Sequence, residues 1–382
     1  MYFSLFFALL FLVSRGLFEL YVAKSMAYMI SIIGFCLFLL PFYFKNIHLE
    51  KGLIERVYLV LFFLVCSLGS LLVSLSLGLN PVYSVYLIYP LVLSFTFLIA
   101  FSIVPESISR DKLSNSISLL IYILFLVALL QQLFLIDLPG VTYTFGVLIR
   151  PSSLTGSYLH YPLIMALLAV ILISLNRKLS FSSILALASS FIAFSRSGMM
   201  LVVLTTFFVV ILYLFKGRVK VNFKSVFLFF SLVVPVFFLS FMMGWLDLIL
   251  ERMFSSVSTS SSGNEGRIEA WKIGFDIYTS TNLLIGEHFG TITNLTSNLT
   301  SAEANVVESG FIQNLINFGL LGTVAFYMLF IYIYLNALSV VERGFIIAFF
   351  AQSFVYQSIE VMPFIIGLIF LFSLTVRFRK SL

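Results

Sequence analysis

The chain has 382 residues, of which 10% are charged and 61% apolar; Phe alone occurs 45 times and the mean hydropathy is +1.12. Soluble domains carry roughly 25% charged and 45–50% apolar residues, so the composition excludes a soluble enzyme, a nucleic-acid binder and a disordered scaffold. The net charge of +6 then reads as an orientation signal rather than a nucleic-acid footprint. Because the apolar runs are long and unbroken, not alternating over segments of about 10 residues as in a β-barrel, the expected fold class is an all-α polytopic membrane protein.

A spanning helix needs about 20 mainly apolar residues. In chain order the candidate spans are 2–20, 26–44, 57–77, 83–104, 118–136, 159–175, 181–194, 199–215, 225–245, 310–335, 344–359 and 363–376, twelve in all. The three between 159 and 215 are short and must borrow flanking residues. No cleavable leader is expected before Arg15, and Cys36 and Cys66, both inside apolar runs, read as packing residues. The whole chain, 1–382, is read as one integral membrane domain.

With both termini cytoplasmic, fifteen of the 22 basic residues fall in the cytoplasmic loops and tail, as the positive-inside rule asks. The remaining seven, Arg15, Lys24, Arg150, Arg196, Arg252, Arg267 and Lys272, lie toward the outer face and call for a functional reason. Arg15 has a plain one, since Glu19 follows at a spacing that pairs two residues on one helix face.

Two outer loops stand out. The first, 137–159, contains DLPGVTYTFG and RPSSLTGSYLHYP. The second, 246–308, is the large late loop; it holds the Ser-rich stretch SSVSTSSSGNEG, which reads as a linker. RIEAWKIGFDIYTS follows, where Ile268, Trp271, Phe275 and Tyr278 recur at helical spacing, as in an amphipathic helix at the membrane surface. Asn294 and Asn298 sit in NLT triplets of the glycosylation-acceptor type, a pattern that Ser/Thr-rich loops also produce by chance.

Metal and nucleophile signatures fail. His48, His160 and His288 have no ligand spacing, and CxxC, HExxH, GxSxG and P-loop patterns are all missing from the sequence. No metal and no cofactor is therefore expected. Four outer segments remain: Arg150-Pro-Ser-Ser-Leu-Thr-Gly156; Ser195-Arg196-Ser-Gly198; Asn264-Glu-Gly-Arg267-Ile-Glu-Ala-Trp271 with Ile285-Gly286-Glu-His-Phe-Gly290; and Glu308-Ser309, nine residues, then Gly319-Leu-Leu-Gly322.

In this order the four blocks resemble the bacterial O-antigen polymerases of the Wzy type and their relatives the O-antigen ligases. The resemblance covers roughly 150–322 and the topology. A ligase has His, then Asn, Ser or Gln, nine residues, Gly, two residues and Gly; here Ser309, Gly319 and Gly322 fit while Glu308 stands at the His position. The resemblance implies a glycosyltransferase C-like architecture in the bacterial inner membrane with a periplasmic active site. It implies undecaprenyl-pyrophosphate-linked oligosaccharides as partners within the lipid bilayer, leaves room for a chain-length regulator, and involves no nucleic acid. The implied reaction moves the growing glycan onto the sugar hydroxyl of an incoming lipid-linked repeat. A ligase, or a flippase of lipid-linked sugar, is the alternative.

The chemistry suits the residues. Guanidinium stays charged and grips phosphate oxygens two at a time, so Arg150, Arg196 and Arg267 are assigned to the leaving pyrophosphate and Glu308 to the general base. Each has a plainer alternative: Arg196 as a snorkelling helix end, Arg150 as a solvated loop residue, Arg267 as a partner of Glu265 or Glu269, and Glu308 as a helix N-terminal residue. Arg252, Lys272, Tyr278, His160 and Glu360 receive no role.

Overall fold

The computed structural model describes residues 2–45, 47–49, 52–105, 108–144, 148–193, 195–215, 262–294, 296 and 307–378. Helix makes up 79% of the structure. The helices are α1 (Tyr2–Val13), α2 (Arg15–Phe18), α3 (Lys24–Lys45), α4 (Leu53–Ser76), α5 (Ile88–Ser102), α6 (Arg110–Gln132), α7 (His160–Asn176), α8 (Phe181–Ile192), α9 (Arg196–Phe215), α10 (Ser262–Thr279), α11 (Gly310–Asn336), α12 (Val340–Ser353) and α13 (Met362–Phe378), with 3₁₀ turns at Pro81–Leu87, Ser153–Thr155 and Ser358–Glu360. The expected span at 225–245 and the positions Arg252 and Asn298 lie outside the described residues.

Among the described residues six helices are long and apolar enough to cross a membrane, and four further apolar helices are shorter. The chain is thus a multi-pass helical membrane protein, though helix length by itself does not reach twelve crossings. The first expected span is two helices, α1 and α2, joined at Ser14. α7 and α13 have 17 residues each and are buried along nearly their whole length. Such a helix is about 26 Å long, less than the roughly 30 Å of hydrocarbon. Helices enclosed by other helices face protein, so the bilayer does not set their length.

The outer helices show an inverted pattern. On α4, Ile54, Leu61, Val65, Leu68 and Leu72 are exposed, while Ser67, Ser70 and Ser74 are buried. Lipid supplies no hydrophobic drive between helices, so small polar residues can share the interface, here with the buried Val60, Phe63 and Leu71, while other large apolar side chains face the tails.

Two short antiparallel ribbons sit beside the helices of this all-α bundle. β1 (Ile47–Leu49) pairs with β2 (Ile103–Pro105), bringing the chain after α3 and after α5 to one end of the bundle. β3 (Thr142–Thr144) pairs with β4 (Leu148–Arg150), with Thr142 opposite Arg150, inside the 137–159 loop. The Ser-rich stretch is corrected: its last residues, from Ser262 on, open α10 rather than forming linker, and its earlier ones lie outside the described residues.

The first glycine of the fourth segment's pair has a structural cause. Gly319 breaks α11 with φ 67° and ψ −175°, a conformation that favours glycine, and a Cβ there would come within 2.6 Å of Gly286 N. The amides that the kink releases are taken by the loop after α10: Leu320 N donates to Leu283 O (2.9 Å) and Leu321 N to Leu284 O (3.3 Å). Gly290 N donates to Asn317 Oδ1 (2.6 Å), and Ser70 Oγ to Gly286 O (2.6 Å). The IGEHFG block and the GLLG block are therefore two halves of one clasp.

Candidate functional site

At the end of the bundle where α3, α7, α9, α11 and α13 begin there is a cavity of about 620 Å³, and Arg150, Arg196, Arg267 and Glu308 all line it. These four come from segments spread over more than 150 positions of the chain. Arg15, Lys24, Tyr28, His160, Tyr356 and Glu360 complete most of its charged and aromatic wall. Five cations against two carboxylates make the lining electropositive, and five helix N-termini, each the positive end of its dipole, add to that sign.

Arg150 ends β4, and the loop after it is not solvated as the plain alternative required. Ser152, Ser153, Leu154 and Thr155 are buried. Gln131 on α6 holds this stretch: its Oε1 accepts from Ser153 N (2.7 Å) and its Nε2 donates to Ser152 Oγ (3.2 Å). Gln132 Nε2 donates to Ile149 O (2.7 Å), fixing the strand that carries Arg150. The Arg150 guanidinium then lies over the Tyr158 ring at 3.8 Å.

Arg196 is the first residue of α9, at the break expected between two apolar helices. Its flanking hydroxyls, Ser195 Oγ and Ser197 Oγ, are 2.9 Å apart and buried. A cation at a helix N-terminus works against the dipole, so its place there brings no electrostatic gain to the helix.

Arg267 reaches the cavity because of how α10 packs. Trp271, Ile277 and Tyr278 pack with Ile312 against Ile292, Val307 and Ile316, and a Cβ on Gly274 would meet Ile312 and Val307. Arg267, Trp271, Gly274 and Tyr278 share one face, so burying that face delivers Arg267 to the start of α11. Phe275, expected on the apolar face, is instead 53% exposed beside Ile273. There Arg267 Nε pairs with Glu308 Oε2, and the guanidinium lies over Tyr356 at 4.9 Å. The partner is thus Glu308, while Glu269 is exposed. Burial by itself lowers the Arg267 pKa; the Glu308 hydrogen bond and Tyr356 outweigh it and leave it raised.

Glu308 stands at φ 20°, just before Ser309, whose Oγ caps α11 by accepting from Ile312 N. The cap role is therefore Ser309's. The Glu308 side chain is 46% exposed, which keeps it reachable from the cavity, and its Oε1 has no hydrogen-bond partner among the described residues.

Several members of the wall carry no motif of their own in the sequence. Arg15 does pair with Glu19, yet it also donates to Tyr28 OH and to Gly156 O (3.4 Å), tying α2 to the loop after Arg150. Gly16 and Gly156 permit that approach; a Cβ on Gly16 would lie 2.6 Å from Gly156 N. His160 opens α7, and its buried Nδ1 has no hydrogen-bond partner among the described residues. Glu360 is buried in the 3₁₀ turn before α13. The available signal was a lone carboxylate in a turn of a few residues between two apolar spans, a costly placement for a charge.

Among the described residues no three His, Cys, Asp or Glu side chains gather as a metal site. Fold and site together define a multi-pass helical membrane protein with a cationic cavity at one end of its bundle. The chain matches no protein-family model and no curated protein.

Proposed function

We propose that the chain is a metal-independent polymerase of surface polysaccharide, of the O-antigen type. It transfers the growing glycan from undecaprenyl pyrophosphate to a sugar hydroxyl of the incoming lipid-linked repeat. The observation that carries this reading is the gathering of Arg150, Arg196, Arg267 and Glu308 around one cavity. They come from four separate segments of the chain, and the Arg267–Glu308 pair joins two of them.

In the reaction a new bond forms between the acceptor oxygen and the anomeric carbon. The bond from that carbon to the pyrophosphate oxygen breaks, and the leaving diphosphate keeps the electron pair. The arginines stabilise the charge that grows there, an electrostatic effect already in place before reaction. The acceptor proton passes to Glu308 through Oε1, since Oε2 accepts from Arg267. In the membrane the chain has twelve crossings, both termini in the cytoplasm and the cavity at the periplasmic face.

Purified protein given lipid-linked repeat units should build a ladder of polymer. Single transfer to a lipid A-core acceptor would make it a ligase, and movement of the substrate across a vesicle without a new glycosidic bond would make it a flippase; either result overturns the proposal. The orientation has its own check: reporters fused after Lys220 and near Ser262 should report opposite sides of the membrane.

A further inference from the structure

Beside its cations the cavity has a wall of a second kind. Asn294 Nδ2 donates to Gln357 Oε1 (2.7 Å), Gln357 Nε2 to Gln313 Oε1 (3.0 Å) and Gln313 Nε2 to Glu360 Oε1 (2.6 Å). The backbone N–H of Asn294 returns to Glu360 Oε2 at 3.1 Å. Four residues from three separate pieces of chain thus close a ring of hydrogen bonds: the loop after α10, the first turns of α11, and the 3₁₀ turn before α13. Asn294, Gln357 and Glu360 face the cavity, and Gln313 is fully buried behind them.

The ring fixes the direction of each amide, because a flipped Gln357 would set donor against donor. A carboxamide offers two N–H hydrogens and one oxygen. Among the described residues, Asn294 Oδ1 and one N–H on each of Asn294 and Gln357 are left over once the ring is closed. Neutral donors and acceptors alternating in fixed directions offer little to a phosphate, which charged donors bind better. They do suit neighbouring sugar hydroxyls, each of which donates and accepts. A site built this way also discriminates strongly, since an occupant lacking a hydroxyl leaves a polar group unpaired.

We propose that the ring Asn294–Gln357–Gln313–Glu360 is a sugar-binding subsite, which holds a neutral hydroxylated ring of the substrate beside the cations that hold its diphosphate. That the sugar held is the acceptor rests on the polymerase reading; that the subsite binds sugar does not.

The test uses the full chain in lipid nanodiscs and two probes measured by calorimetry. One is inorganic pyrophosphate; the other is the lipid-free repeat oligosaccharide released by mild acid from the source cell's own surface glycan. Gln357→Ala should weaken oligosaccharide binding about tenfold, the loss of a hydrogen bond and the loosening of its partner, and leave pyrophosphate within about twofold. Asn294→Ala, at the exposed rim where folding is least at stake, should repeat the pattern. Wild-type protein that binds pyrophosphate and no oligosaccharide overturns the subsite, as do variants that weaken both probes alike or neither. Ladder formation is scored separately. Ring-dependent sugar binding without a ladder keeps the subsite and sinks the polymerase, and a ladder without ring-dependent binding does the reverse.

Discussion

Arg56 and Arg150 are the same kind of side chain in two different settings, at opposite ends of the bundle. Arg56, at the start of α4, donates to Tyr332 OH (2.9 Å), to Phe101 O and to Ser102 Oγ (3.4 Å). Arg377 near the end of α13 likewise donates to Ala100 O (2.8 Å). These N–H edges close off the last carbonyls of α5, where a cation also complements the dipole. At the cavity, Arg15, Arg150 and Arg267 each lie over a tyrosine ring, Tyr28, Tyr158 and Tyr356. Stacking engages the guanidinium face and adds to N–H bonds already made, by Arg15 to Glu19, Tyr28 and Gly156 and by Arg267 to Glu308. One end uses arginine to finish helices, the other to line a space.

Substitution should separate the two uses. The largest effect is expected for Arg196→Ala and Arg267→Ala, which should lower ladder formation about 10²–10³-fold, the range for losing one preorganised donor, at unchanged protein amount. Lysine at either position should restore only part, since it returns the charge without the fork. Normal polymer from Arg267→Ala would reduce its contact with Glu308 to a structural ion pair. Glu308→Gln comes next, keeping shape while removing the base; activity at matched protein level should fall by about 10²-fold, and a near-normal ladder would take Glu308 out of the reaction.

At the other end Arg56→Ala should act on stability instead. Removing it strands buried acceptors at about 1–3 kcal/mol each, so thermal melting should drop while turnover per folded molecule holds. Equal turnover loss in Arg56→Ala and Arg267→Ala would erase the distinction between the ends. A smaller effect is expected for Tyr158→Leu, which removes the ring under Arg150; a loss of about 1 kcal/mol, roughly fivefold in donor affinity, is the scale of one such contact. Smallest of all, EDTA should leave the rate unchanged, and strict dependence on an added divalent ion would show that the arginines do not carry the diphosphate charge alone.

The bundle itself was legible because long apolar runs have few ways to be satisfied in lipid, and Arg150, Arg196 and Arg267 stood out because so few basic residues fell outside the loops and tail expected to carry them. What stayed hidden depended on distance in the chain. Arg15 looked explained by Glu19, four residues on, although Gly156 lies 141 positions away. Arg267 has Glu265 and Glu269 within two residues, yet its partner stands 41 positions away. Gly319 and Gly322 read as a motif, whereas the loop carbonyls that make the Gly319 kink tolerable belong to another segment. Spacing rules see one helix face at a time, and the ring around Glu360 spans three pieces of chain.

The five helices that begin at the cavity have a consequence that does not depend on its basic side chains. A helix N-terminus carries about half an elementary charge of positive sign, effective over its first turn, and its free N–H groups are ready anion ligands. A peptide dipole has no titration midpoint, so this share of the potential is the same at pH 5 and pH 9. Nor can it be deleted by substitution, because it is set by which way the chain runs through the bundle. Removing the arginines one after another should therefore approach a floor of residual diphosphate affinity rather than zero. That floor would belong to the threading of the backbone, present before any basic residue was placed there.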